Sequence, residues 1–499
     1  MQGVTQRESK ARDWWRVGDG LVLLAYAGVV LWTIRYHEKW ADEAQAWLIA
    51  RDLNLGTIWF HELRYEGSPG LWHTILWVAQ HVFHASYGSI GYIGLAFAIA
   101  GAAVLIFLAP FPRIVRWPLA FTYVIVYQYA VIARPYTLLP LLAFCAALLF
   151  KDVQHPERMT VVLFLLANLT LHGAILAGCL GLAYILEAAR RWLELDLTVR
   201  RRYLLCASAM VLTFAFLVLI LRPTPDVEEF AMKAELAQLA ESLHAKQPTW
   251  GIKLTTVLCG SFMDYTSASV IFVLLAGAWC AWRRRLLVFV LPLAMLIGLY
   301  IGVHGYAHHH GTVTIAALTA IWIAWPSDAE RRAFGIREWR ATYAMTGLLL
   351  TFCAVQIWDS TGVIEHEYRF PYSGAGDAAN FLKAEGAERA PIFGYLYGVA
   401  GVQAYFDHNI FANMHTAYFH HGLPLDGMNL DLAMVEQVSP RYVVVFTEQP
   451  KLMIDSGILN GLVSLGYRMV HFSDGYLLYR RGVYVRQTYL IFQRTDANP

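Results

Sequence analysis

The acids Asp42 and Glu43 stand in the run Trp40-Ala-Asp-Glu-Ala-Gln-Ala-Trp47, just past the first long apolar stretch of the chain. A carboxylate in a low-dielectric cleft can take the proton of an attacking hydroxyl, so these are candidate general bases. They also open a helical stretch, Asp42–Asp52, where acids favour the positive end of the helix dipole. The two roles are compatible, because a helix start fixes a carboxylate in place. A second polar cluster, Arg64-Tyr-Glu-Gly-Ser-Pro-Gly-Leu-Trp-His73, adds Glu66 and His73. Acids at the end of an apolar span are costly beside hydrocarbon and point to chemistry or transport at the membrane surface.

The complementary charge comes from Ala133-Arg-Pro-Tyr136. The planar fork of Arg134 can bond two phosphate oxygens at once. The plainer alternative is an arginine that snorkels to the interface. His172 interrupts the apolar stretch Val161–Leu186, either as a helix-packing residue or as part of a site. His308-His309-His310, with His304, resembles a metal cluster. Consecutive histidines point to different sides of a helix, so a phosphate-contacting or interfacial role is favoured over a metal site. Asp226, Glu228 and Glu229 open the long loop Arg222–Ser261. Its helical pattern, Phe230–Leu243, reads as a surface helix or as a loop that closes over a lipid-linked substrate. There is no phosphate-cradling glycine loop, no nucleotide fold and no intramembrane chain of acids. The energy of any reaction would then be carried by a substrate and not by ATP.

These residues must be positioned by membrane helices. Of 499 residues, 57% are hydrophobic and 15% charged. That composition is typical of a polytopic membrane protein. Apolar runs long enough to cross a bilayer, or nearly so, lie at Gly18–Ile34, Tyr87–Ala109, Trp117–Ile132, Pro135–Phe150, Thr160–Leu171 and Gly173–Leu186. Further runs lie at Tyr203–Leu221, Ala268–Trp282, Leu286–Val303, Gly311–Trp325 and Thr342–Trp358. The first follows Arg7, Lys10, Arg12 and Arg16 and reads as a retained signal anchor. The six cysteines lie in or beside apolar runs and imply no disulfide framework.

Basic residues cluster at Arg113/Arg116, Lys151/Arg158, Arg190/Arg191/Arg200–Arg202, Arg283–Arg285 and Arg331/Arg332/Arg337/Arg340. With the N-terminus in the cytoplasm and Leu71–Phe83 omitted as a crossing, every cluster falls inside. Leu71–Phe83 is therefore expected to lie on the outer surface as an amphipathic helix, with His73, Gln80, His81 and His84 available to its polar side. About eleven crossings remain and the C-terminus is expected outside. Asp42, Glu43, Glu66, His73, Arg134, Tyr136, His172 and the His304–His310 group then share one face of the membrane.

From about Asp359 the composition changes. Gly374–Glu385, Leu430–Gln437 and Leu452–Leu465 read as helices; Pro391–Tyr397, Tyr442–Thr447, Arg468–Phe472, Tyr476–Arg480 and Tyr489–Gln493 read as strands. The expected organisation is a helical membrane core over 1–358, with outer loops at 36–86 and 222–267, and a small α/β extracytoplasmic domain over 359–499.

The order of these features resembles the C-type (GT-C) integral membrane glycosyltransferases, in the bacterial branch related to protein O-mannosyltransferases and aminoarabinose transferases. The resemblance rests on Asp42-Glu-Ala-Gln-Ala-Trp-Leu-Ile-Ala-Arg-Asp52, Arg64-Tyr-Glu-Gly, Ala133-Arg-Pro-Tyr136, the His172-Gly pair, His309-His-Gly311 and Tyr372-Ser-Gly-Ala375. It implies a GT-C-like fold in a bacterial inner membrane. It implies transfer of a sugar from a polyprenyl-phosphate donor to a lipid, glycan or protein acceptor on the outer face, with inversion. Asp42 would be the base, with Glu43 or Glu66 as a second acid. Arg134, Tyr136, His172, His73 and His309 would hold the donor phosphate. No cofactor is implied, a divalent metal is unsupported, and no nucleic acid partner is expected. Two departures stand out. Ser68-Pro69-Gly70 replaces the His-Pro-Pro that often opens the family's surface helix, and no acid adjoins Arg134. The competing readings are a transporter or flippase of lipid-linked sugars and a non-catalytic assembly partner. The absence of an inverted repeat, and polar groups at one face instead of the midplane, weigh against transport.

Overall fold

The computed structural model describes residues 2–228, 249–304, 307–420, 431–449, 457–480 and 483–495. Glu229 and the helical pattern Phe230–Leu243 lie outside the described residues. The chain forms two compact units: residues 1–34, 91–219 and 247–362 make one, and residues 35–90, 220–246 and 363–499 make the other.

The first unit is helical. Helices over Pro156–Ala167, Leu171–Arg190, Leu197–Ile220, Thr266–Trp282, Leu286–Leu299 and Gly311–Ala324 fall on the apolar runs of the sequence. Gly311–Ala324 is buried along its whole length, as expected of a helix that is apolar all round. Two groups of charges in this unit are paired. Asp19 accepts hydrogen bonds from Arg113 (3.1 Å) and from the indole of Trp117 (2.8 Å). Glu187 gathers Arg190, Arg191 and Arg285.

The count of eleven crossings is not reproduced as eleven long helices. Among the described residues, five helices are long and apolar enough to cross a membrane: Trp14–Tyr36, Tyr87–Leu108, Leu171–Arg190, Leu197–Ile220 and Ile336–Arg369. A sixth arises if Trp250–Ser261 and Thr266–Trp282, bent by 74°, form one broken span. Pro135–Leu149 and Leu286–Gly302 are shorter apolar helices. Trp117–Ile132 is not a single helix. Pro118 sits near the end of helix Arg113–Ala120, and a π-helical turn, Val124–Gln128, follows the break. A proline removes one backbone donor and crowds the preceding turn. The last long helix, Ile336–Arg369, carries on through Asp359, where the composition changes, so that change falls inside a helix.

The second unit pairs the segment after the first span with the tail. Helix Ala41–Asp52 and helix Leu71–His81 come from the former. Leu71–His81 has 11 residues. At a helical rise of about 1.5 Å per residue it is about 16 Å long, well short of the hydrocarbon thickness. Its His73 lies on the buried face with Trp72 and Leu76, not on an exposed polar side as expected. Gln80 donates to the Trp47 carbonyl, and the His81 ring stacks on Trp77.

The tail forms a four-stranded sheet of order β1-β2-β4-β3, from β1 (Ile392–Tyr395), β2 (Tyr442–Thr447), β3 (Tyr467–Tyr479) and β4 (Val483–Arg494). β1 and β2 are parallel, and the other pairings are antiparallel. β2 is buried along its whole length, which suits its unbroken Val-Val-Val-Phe run. The segments expected as separate strands at Arg468–Phe472 and Tyr476–Arg480 are one strand, β3, with an irregularity between Met469 and His471. Helix Ala375–Ala384 packs on one side of the sheet with Ile392, Tyr442 and Ile491. Val435 and Leu462, from helices Leu432–Val438 and Ile458–Ser464, pack on the other with Phe393 and Val443.

Candidate active site

Arg134, Tyr136, His172 and His309, all in the first unit, lie together. Arg134 precedes Pro135, which disfavours the helical region for the residue before it. The Arg134 backbone is accordingly extended, at φ −121° and ψ 170°. Pro135 then opens a 3₁₀ turn that leads into helix Leu139–Leu149. This kink puts the Arg134 guanidinium over the Tyr136 ring, 5.7 Å from its centroid. At that distance the ring face attracts the cation. The Tyr136 phenol is hydrogen-bonded to His172 Nδ1 at 3.0 Å. His172 occupies the first turn of helix Leu171–Arg190, whose start is fixed by Thr170 accepting the Gly173 N–H at 2.9 Å. The His309 ring lies 4.6 Å from that of His172 and 6.0 Å from that of Tyr136, between centroids. Tyr129 stacks on Tyr136 at 5.3 Å, and Tyr300 stacks on His309 at 6.1 Å.

The histidine run is held by its backbone. Gln128 donates to the His308 carbonyl (2.7 Å), and the Tyr300 hydroxyl donates to the His309 carbonyl (3.1 Å). A Cβ at Gly311 would come within 2.9 Å of the Gln128 amide oxygen and 2.8 Å of the Tyr129 hydroxyl, so glycine is what lets both approach. His310 lies directly against Gly260, where a Cβ would collide with its ring. The His308 and His309 rings nevertheless lie together, 4.1 Å apart between centroids in an edge-to-face contact, and do not point to opposite sides as expected of consecutive positions. Among the described residues no group of three or more His, Cys, Asp or Glu is placed to hold a metal ion. All six cysteines are thiols.

In the second unit the two neighbouring acids part company. Glu43 is fully buried and accepts from His37 Nε2 at 3.0 Å and from the Trp40 N–H at 3.3 Å. The latter is the reach-back of a capping box. His37 Nδ1 donates to Glu367 at 2.9 Å, which closes a dry carboxylate–imidazolium–carboxylate triad. Burial works against the charge on His37, but Glu367 and Glu43 outweigh it and hold its pKa up at about 10. Next to it, burial pushes Glu38 up to about 7, although that carboxylate accepts the Gly376 and Asp377 N–H groups at the start of helix Ala375–Ala384.

Asp42 is only half-buried. Its charge is felt at Tyr397, whose phenol is pushed upward by burial, by its hydrogen-bond acceptor Glu448 and by Asp42. One helical turn on, Gln45 is 2% exposed; its amide donates to Glu66 Oε1 at 2.8 Å, and its carbonyl accepts the Phe419 N–H at 3.1 Å. His73 Nε2 stands 3.8 Å from Glu66 Oε2. Burial lowers the His73 pKa, with partial relief from Glu66 and Glu62, so the ring is neutral. Glu62, buried, faces His420 at 3.3 Å, and the Tyr65 ring stacks on His420 at 4.2 Å.

The structure therefore groups Arg134, Tyr136, His172 and His309 within one unit. Within the other it groups Glu43 with His37, and Glu66 with His73. A neutral buried imidazole makes His73 a weak counter-charge for a phosphate. Sequence reasoning passed over His37, Gln45, Glu367, Tyr397 and His420. The only local signal was that His37 and Glu38 directly follow the first span.

No family model matches the chain, and no curated protein matches it. Among solved structures, the chain is similar to ArnT from Cupriavidus metallidurans in the apo state, at 14% identity over 96% of this chain and 98% of that one, with a TM-score of 0.49.

Proposed function

We propose that the protein is a membrane glycosyltransferase that moves a sugar from a polyprenyl-phosphate donor to an acceptor hydroxyl on the outer face of the membrane. The observation that carries this reading is the convergence of Arg134, Tyr136, His172 and His309. A guanidinium beside a phenol and two imidazoles offers one fixed charge and several hydrogen-bonding groups, which suits a departing phosphate. Asp42 is the general base. It is the acid of the first-loop pair that keeps partial access to solvent, while Glu43 is committed to His37.

In the reaction the acceptor oxygen bonds to the anomeric carbon as the bond from that carbon to the phosphate oxygen breaks. The bonding pair leaves with the polyprenyl phosphate, and the acceptor proton passes to Asp42. A single displacement of this kind inverts the anomeric centre. We place the N-terminus and the five basic clusters on the cytoplasmic side of a bacterial inner membrane and the tail outside. The eleven apolar runs serve as crossings in this reading, some of them broken or short. What supports that sidedness is the positive-inside rule applied to the clusters.

The test is incubation of the purified protein in lipid nanodiscs with radiolabelled polyprenyl-phosphate sugars and a membrane extract as acceptor source. Transfer of label is expected for the wild type and not for Arg134→Ala. In proteoliposomes, movement of labelled lipid across the bilayer without bond transfer would replace this reading with transport.

A further inference from the structure

His73 is 3% exposed, and neither of its ring nitrogens makes a hydrogen bond with a protein group. Buried polar atoms are nearly always satisfied, and exceptions ask for an explanation. The chain goes to some length to put it there. Gly67 takes a left-handed conformation at φ +58° after helix Leu63–Glu66. This reversal turns helix Leu71–His81 back so that His73 faces Glu66. The 3.8 Å between His73 Nε2 and Glu66 Oε2 is too long for a hydrogen bond. It is short enough for one oxygen to reach both atoms. The second carboxylate oxygen of Glu66 is already taken by Gln45, which is bonded in turn to the backbone of Phe419. The carboxylate is thus fixed, with one oxygen left towards the imidazole.

We propose that Glu66 and His73 bind a hydroxyl of the acceptor, that Gln45 is the positioning residue that holds Glu66 for it, and that the acceptor is a carbohydrate. The inference rests on the glycosyl transfer proposed above. A hydroxyl donates to the carboxylate and accepts from an imidazole N–H, so it uses both groups at once; an ammonium or a carbonyl uses only one. Gln45 lies three residues after Asp42, on the same helical face, and is itself hydrogen-bonded to Glu66, so it links the two acids. An acceptor that offers one hydroxyl to Asp42 and another to Glu66 and His73 must carry neighbouring hydroxyls. A serine or threonine side chain has one; a sugar ring has several.

The experiment uses the full chain in nanodiscs on an array of oligosaccharides of hexoses, N-acetylhexosamines and heptoses, with serine- and threonine-containing peptides alongside. Binding of polyprenyl phosphate is measured in parallel. The wild type should bind oligosaccharides and not peptides. Glu66→Gln and His73→Leu should each weaken that binding at least tenfold and leave polyprenyl phosphate binding unchanged. His73→Gln, whose amide can stand in for Nε2, should recover most of it, which a merely structural histidine would not show. Gln45→Leu should act as Glu66→Gln does. Peptide binding in place of oligosaccharide binding overturns the inference, as do His73→Leu or Glu66→Gln with wild-type oligosaccharide binding. Polyprenyl phosphate bound without any oligosaccharide also sinks it and leaves the transfer reading standing. Failure to bind polyprenyl phosphate sinks the transfer reading instead. Should Glu66→Gln lose both ligands through misfolding, the contrast between His73→Leu and His73→Gln decides.

Discussion

Asp42 and Glu43 are adjacent acids, yet their surroundings predict opposite consequences of removing them. Glu43→Ala deletes two hydrogen bonds, one of them the 3.0 Å charge-assisted contact to His37, inside a fully buried network. Removing one partner of a buried ionic network costs about 3–5 kcal/mol. Glu367 still faces His37 at 2.9 Å and compensates in part, so the lower end of that range is expected. At roughly 2–4 °C per kcal/mol for a unit of this size, the fall in Tm is on the order of 10 °C. Asp42 is half-buried and keeps access to solvent. Asp42→Asn, which preserves size and shape, should therefore change stability by no more than ~0.5 kcal/mol. It removes the proposed base, and turnover should fall by roughly 10²–10⁴-fold. Tryptophan-fluorescence melting in nanodiscs measures the first quantity, and transfer from a labelled polyprenyl-phosphate sugar measures the second. The reasoning is refuted if Asp42→Asn turns over normally while Glu43→Ala melts like wild type and is inactive. Glu43 would then be the base and the triad a device for holding it.

Three further outcomes are expected. Arg134→Lys keeps the charge but not the fork, so its activity should lie between that of the wild type and that of Arg134→Ala; equal activity of all three would make Arg134 an interfacial anchor. Tyr136→Phe removes one hydrogen bond to His172. In the proposed site the phenol also bonds the donor phosphate; one such bond is worth about 1 kcal/mol, so donor affinity read by lipid-phosphate competition should drop about fivefold, and an unchanged affinity would remove Tyr136 from the site. His37 has its pKa raised from its ordinary value of 6.5 to about 10, so its stabilising contribution is complete below about pH 6.5 and is lost as pH climbs through 10. Thermal unfolding between about pH 7 and about pH 10.5 should therefore show a steeper fall for the wild type than for His37→Gln, and parallel curves would contradict the charged triad.

The apolar periodicity of the chain foretold most helices, because a span is specified locally by its own residues. Tyr442–Thr447 was legible for the same reason, as a continuous run of β-branched and aromatic residues. Trp117–Ile132 misled because its composition is as apolar as a span while Pro118 and a π-helical turn break its backbone. The composition change at Asp359 does not coincide with a helix end, because polar residues beyond it keep helical order as far as Arg369. Candidate residues were legible where they are polar and stand in apolar surroundings, as with Arg134 and His172. The positioning groups were not. Gln45 meets Phe419 across 374 positions and His37 meets Glu367 across 330, and neither type nor spacing in a single sequence announces such pairs.

The His37 triad also has a consequence in time. Its first two members leave the ribosome together, and the third follows 330 residues later. At roughly 5–20 residues per second, His37 and Glu43 wait about 15–65 s for Glu367. The pair becomes dry only after helix Ile336–Arg369 has been made. A chain that ends before Glu367 therefore has the imidazole–carboxylate pair without its third member.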